Sequence, residues 1–123
     1  MPVTIEQLLS QYVGLLKQIY GNHLKTVILY GSYARGDYKE DSDIDIMILL
    51  DMEDMDIKGF RHDLSAITFD FNLDHDLDIK PIAKSKEHFE KWAEVYPFYT
   101  NVEWEGVKPV SYTHLRAHET AAN

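Results

Sequence analysis

The residues best equipped for chemistry are aspartates spaced two apart. Asp43-Ile-Asp45 opens an otherwise apolar run, Asp43 to Leu50, and Asp76-Leu-Asp78-Ile-Lys80 repeats the arrangement further along. Side chains alternate along a strand, so residues two apart point the same way. Asp43 and Asp45 therefore project together while Ile44, Ile46 and Ile48 pack on the opposite face. Two ionised carboxylates this close repel strongly at low dielectric. A divalent cation removes that cost, and oxygen-only donors suit Mg²⁺ or Mn²⁺. If the second run pairs beside the first, Asp76 or Asp78 completes a three-carboxylate cluster.

A different feature precedes the carboxylates. Gly31-Ser32 ends an apolar run, and glycine lets the backbone turn and approach a ligand closely. A helix beginning there presents backbone N–H groups and its positive dipole end to an anion, with the Ser32 hydroxyl as a further donor. Arg35 stands nearby as a charge clamp for phosphate. Ten residues separate Ser32 from Asp43 and one separates Asp43 from Asp45. A phosphate cradle, metal-binding carboxylates and a third carboxylate are the parts needed for metal-assisted phosphoryl or nucleotidyl transfer.

Several elements must hold these parts. Thr4-Ile-Glu-Gln7 reads as a capping box, opening a helix with Ile5, Leu8, Leu9, Tyr12, Leu15, Leu16 and Ile19 at helical spacing and Gly21-Asn22 as its stop. Leu24 to Tyr30 reads as a strand, and 31–42 as a turn, a short helix and a loop. Asp43 to Leu50 has the apolar pattern of a buried central strand. A helical pattern follows from about Asp56 to Phe71. Asp76 to Ala83 is a third strand, which Pro81 places at an edge or a strand end. Ser85 caps a helix to about Tyr96, with Phe89, Trp92, Ala93 and Tyr96 on one face, and Pro97 opens a final short helix or turn through Trp104, stopped by Gly106. The order predicts a small mixed β-sheet flanked by helices, in the α/β or α+β class.

The chain has 123 residues and no cysteine, which suits one domain and removes disulfides and thiolate chemistry. With 12 basic and 21 acidic residues the net charge is −9, which disfavours direct nucleic-acid binding and suits a protein that gathers cations. No long apolar run or signal-like amino terminus is present, so no membrane association and a cytoplasmic location are expected. Residues 51–56 read as a solvated acidic stretch. His23, His62, His75 and His88 read as surface or packing residues, with His75 nearest the acidic strand. Lys80 and Arg61 are secondary candidates for substrate phosphates, and Tyr99 and Trp104 for a partner's helix.

Gly31-Ser-Tyr-Ala-Arg-Gly36 followed by Ser42-Asp-Ile-Asp45 resembles the Gly-Ser-x₁₀-Asp-x-Asp signature of the DNA polymerase beta-like nucleotidyltransferases. Within that superfamily the chain looks most like the minimal nucleotidyltransferases, from the first helix to about Lys108. The resemblance implies the nucleotidyltransferase fold and AMP transfer from ATP. Gly31 and Ser32 would hold the triphosphate, with Arg35 and Ser42 beside them as nucleotide-binding residues. Asp43 and Asp45 would bind two Mg²⁺ ions (or Mn²⁺). Asp78, in an Asp-x-basic strand context, fits the third catalytic and metal-binding carboxylate better than Asp76. The resemblance also implies a partner, a HEPN-domain RNase toxin that this chain would neutralise as antitoxin by transferring AMP to a hydroxyl. Alternatives are an antitoxin that binds without catalysis, or transfer to a small molecule such as an aminoglycoside. Tyr33 stands where many members have arginine, which removes one phosphate contact.

The last residues break with the rest. Val110 to Thr120 has no amphipathic period, and reads as the in-frame translation of a transposase-type sequencing adapter. The expected division is a nucleotidyltransferase domain at 1–108 and a non-native, disordered tail at 109–123, so His114 and His118 are discounted as ligands.

Overall fold

In the computed structural model, residues 3–37, 39 and 42–92 are described. The features expected over 93–123, including the helix end near Tyr96, the turn through Trp104 and the tail, lie outside them. Helix α1 spans Val3–Tyr20, β1 Leu24–Tyr30, α2 Ser32–Arg35, β2 Ile44–Leu50, α3 Asp54–Lys58, α4 Arg61–His75, β3 Ile79–Ser85 and α5 Lys86–Trp92. A three-residue 3-10 turn, Gly21–His23, joins α1 to β1. Thr4 falls inside the first turn of α1 rather than capping it.

The three strands form one mixed sheet in the order β1-β2-β3. β2 pairs antiparallel with β1, placing Tyr30 opposite Asp45. It pairs parallel with β3, placing Ile44 opposite Ile79 and Asp45 opposite Lys80. The predicted mixed sheet flanked by helices is therefore present, with β2 at its centre and the Pro81 strand at an edge of the described sheet.

The alternation of β2 divides the core in two. Ile44, Ile46, Ile48 and Leu50 face Tyr12, Val13, Leu16 of α1 and Phe71 of α4. Met47 and Leu49 face the other way, with Ile28, Tyr30 and Phe89 of α5. Residues fully withdrawn from water on both faces explain why β2 reads as a near-continuous apolar run. The Tyr12 hydroxyl, buried in the first layer, shares a 2.6 Å hydrogen bond with the Thr68 hydroxyl. It thus ties α1 to α4 without leaving an unpaired polar group.

Two boundaries differ from the sequence expectation. The helical pattern from Asp56 is two helices, α3 and α4, because the chain turns at Gly59-Phe60. Helix α4 then runs four residues past Phe71, to His75, and Asp76 closes it in the left-handed conformation with φ 55°. The third strand consequently starts at Ile79 rather than Asp76 and extends to Ser85. At its end the Ser85 hydroxyl accepts the His88 N–H at 3.2 Å, the predicted cap of α5.

Candidate active site

The candidate residues gather where β1 ends and β2 and β3 begin. The Ile44 N–H donates to the Asp78 carbonyl at 2.9 Å. This bond brings the residue before β2 beside the residue before β3, and the Asp43 carboxyl hydrogen-bonds the Asp78 carboxyl. That bond holds the Asp43 carboxyl above the usual carboxylate range. Its partial desolvation and the charges of Asp78 and Asp45 push the same way, while Lys80 opposes them. Lys80 Nζ lies 3.7 Å from an Asp78 carboxylate oxygen.

Asp45, the second residue of β2, lies close enough to Asp43 for their charges to interact. Its carboxyl packs over Gly31, where φ is 78° and ψ −155°. A Cβ at Gly31 would collide with the Asp45 Oδ2 and come within 3.2 Å of its Cγ. The glycine thus both takes a backbone conformation closed to other residues and leaves room for a carboxylate. Beside it, burial and then the charge of Asp45 push the Tyr30 hydroxyl up to about 12.

Ser32 begins α2, and its carbonyl accepts the N–H groups of Gly36 and Asp37 at 2.9 and 3.1 Å. The expected helix at the glycine corner is therefore a single turn of four residues, ended by Gly36 in the left-handed conformation. A helix this short has little macrodipole, so any attraction it has for an anion comes from the backbone N–H groups of its first turn. Arg35 is the last residue of that turn. Ser42 is differently engaged. Its hydroxyl oxygen accepts the Lys39 N–H at 2.7 Å and its own N–H donates to the Lys39 carbonyl at 3.0 Å, closing the loop that leads into Asp43.

Among the described residues no three acidic or histidine side chains converge as a ready-made metal cage. The donors nevertheless fit Mg²⁺. This ion is held through one or two carboxylates with substrate phosphates and water completing the shell, and the Asp43 and Asp78 carboxyls meet where β2 and β3 begin. Asp76 is exposed at the end of α4 and not in the strand. His75 packs against Phe71, its ring tilted at 51° with centroids 4.4 Å apart. His23 bonds Asp51 at 2.7 Å at the opposite end of the sheet. Arg61, at the first turn of α4, lines a groove rather than this site. Glu53, Asp54 and Asp56 are exposed, as the solvated reading of that stretch expects.

One residue here escapes sequence reasoning. Asn72 accepts the Ile79 N–H at 2.8 Å and donates to the Ile79 carbonyl at 3.2 Å. It thereby fixes the backbone next to Asp78. It lies one residue beyond the expected end of its helix, so no pattern singled it out.

Residues 9–104 match the family model described as a nucleotidyltransferase domain. A protein of Methanocaldococcus jannaschii, provisionally named a protein adenylyltransferase, is 38% identical over 82% of this chain and 93% of its own length. A second, similarly named protein of that organism is 34% identical over 67% of this chain and 81% of its own length. In fold, the chain is similar to one in a crystal structure of a toxin–antitoxin with AMP-PNP, at a TM-score of 0.52 and 19% identity over 95% of this chain and 94% of that one. Among the described residues no helix is long and apolar enough to cross a membrane.

Proposed function

We propose that this chain, which belongs to the nucleotidyltransferase domain family, moves AMP from ATP to a hydroxyl of a partner protein in a Mg²⁺-dependent reaction. The observation that carries the reading is the meeting of Asp43 and Asp78 across β2 and β3, with Asp45 close by against Gly31. The relatives' names support protein as the acceptor, and the shared fold of a toxin–antitoxin chain supports an antitoxin role. A HEPN-type RNase toxin is the partner that the sequence resemblance favours.

In this mechanism Gly31 and the N–H groups of the α2 turn approach the triphosphate, with the Ser32 hydroxyl donating to it and Arg35 beside it. Ser42 holds the loop that aims Asp43. Asp43, Asp45 and Asp78 would hold Mg²⁺, which supplies charge to the phosphate oxygens and lowers the cost of their crowding. Asp78 takes the proton of the acceptor hydroxyl as its oxygen bonds to the α-phosphorus. The bond from that phosphorus to the bridging oxygen breaks, and pyrophosphate leaves with the electron pair.

The test is mass spectrometry after incubating the protein with ATP, Mg²⁺ and the product of the neighbouring gene. The expected result is a gain of one or more AMP units on that product. The rate should drop by at least about 100-fold in Asp43→Ala/Asp45→Ala, because metal-held charge stabilisation is worth several kcal/mol. A stable complex with ATP binding but no AMP gain would replace this reading with an antitoxin that acts by binding. Absence of any complex would point to a small-molecule acceptor.

A further inference from the structure

On the outer side of β3, α3 and α4 leave a groove of about 590 Å³. Lys58, Arg61 and Lys84 line it against one carboxylate, Asp54. Acidic residues outnumber basic ones 21 to 12 in this chain, yet among the described residues none of these three cations has an ion pair. Beside these cations α4 exposes large apolar side chains. Phe69, which lines the groove, is 66% exposed, and Leu73, one turn further along α4, is 72% exposed. Large side chains left this open on a small domain mark an interaction surface.

Asn72 lines the groove and also bonds both backbone groups of Ile79, the neighbour of Asp78. We infer that the groove seats an acidic segment of the acceptor protein that also carries apolar side chains. This rests on the proposed function insofar as the acceptor is a protein. The segment is held by side chains, not as an added strand. The Asp78 carbonyl points to β2, so Ile79 and Pro81 point their backbone outward. Asn72 occupies both groups of Ile79, and Pro81 has no N–H to give. Carboxylates of the segment meet Lys58, Arg61 and Lys84, and an apolar side chain rests on Phe69. A nucleic-acid backbone would match the cations but leave the apolar side chains bare.

The probe is a fluorescent random copolymer of glutamate and tyrosine, followed by anisotropy without nucleotide, with a lysine–tyrosine copolymer as control. The protein is expected to bind the acidic copolymer and not the basic one, and binding should weaken as salt rises from about 0.05 to 0.5 M. Lys58→Glu/Arg61→Glu/Lys84→Glu should weaken it at least about tenfold, the combined effect of three exposed ion pairs. The neutral Lys58→Gln/Arg61→Gln/Lys84→Gln and the single Phe69→Ser should each weaken it less, with unchanged circular dichroism. No binding by the wild type, equal binding by the variants, or binding indifferent to salt overturns the inference. So does loss of AMP-PNP binding in the triple variant, which would make the groove a nucleotide site, or a wild-type self-association in solution that the triple variant abolishes, which would make it a self-interface. Because the readout needs no transfer, copolymer binding without any AMP transfer would keep the groove and sink the activity. Wild-type transfer by the charge-reversed variant would do the reverse.

Discussion

Gly31 joins two demands that the sequence presents separately. Its backbone, at φ 78° and ψ −155°, lies in a region that only glycine enters cheaply, and its missing Cβ is the space the Asp45 carboxyl fills. Gly31→Ala is therefore expected to lose about 1–3 kcal/mol of stability through backbone strain. It should also weaken Mn²⁺ binding by displacing Asp45. Urea unfolding and a Mn²⁺ titration check this, and an alanine variant matching the wild type in both would refute it. The alternation that sends Ile44, Ile46 and Ile48 of β2 into one core layer and Met47 and Leu49 into the other was legible in advance, because a period of two is a property of strands as such. The contact between Gly31 and Asp45 was not. It depends on the β1–β2 register, which sets Tyr30 opposite Asp45, and no local pattern prints a register.

The elements around β3 show where local patterning stops being informative. The sequence marks an apolar face through Phe71, and the structure continues α4 through Asn72-Leu-Asp-His75 because Asn72 gains two hydrogen bonds to Ile79 from that position. Those bonds displace the strand start from Asp76 to Ile79, leaving Asp78 at its threshold and Asp76 at the helix end. They give Asn72 a positioning role. Asn72→Ala should cost about 1–3 kcal/mol, from two lost bonds and the unpaired groups left behind. It should lower kcat for AMP transfer while the affinity for AMP-PNP stays near wild type, since the nucleotide cradle at Gly31-Ser32 is on another element. A variant that lost only stability, with kcat intact, would leave Asn72 a purely structural clamp. Ser85, in contrast, was readable as a cap because its bond is local, from its own side chain to the N–H three residues on.

At the scale of the whole molecule, the two-layered core is closed by phenols as well as aliphatic groups. Burial pushes Tyr20 and Tyr30 up to about 12 from an ordinary 10.0, and Tyr12 further still, the last despite its bond to Thr68. A raised value in the fold means that folding favours the neutral phenol. Its contribution is thus fully present below about pH 10, and is lost as the pH climbs through 12 and the unfolded chain ionises first. The urea midpoint should be flat from neutrality to near pH 10 and fall steeply above it. In a variant that keeps only Tyr12, Tyr20 and Tyr30 of the eight tyrosines, with phenylalanine at the others, tyrosinate absorbance should rise together with loss of helix, not before it. Absorbance that rose first, with the helices intact, would show the phenols to be accessible. Net charge, already −9 at neutral pH, adds self-repulsion in the same alkaline range. The overall class was legible because helix and strand periods are distinct along most of the chain. The groove beside β3 was not, since Lys58, Arg61 and Lys84 come from three elements and meet only after folding.

The way Asn72 and Pro81 occupy the margin of β3 also bears on how the protein survives at high concentration. A bare sheet margin is a template onto which another copy can stack its own backbone and begin a fibre. Here the first outward-facing residue is already satisfied by a side-chain amide from within the same molecule, and the next has no hydrogen to offer. An incoming copy meets no usable ladder beside the carboxylates, so the end of the sheet that gathers them can stay open to solvent without seeding aggregation.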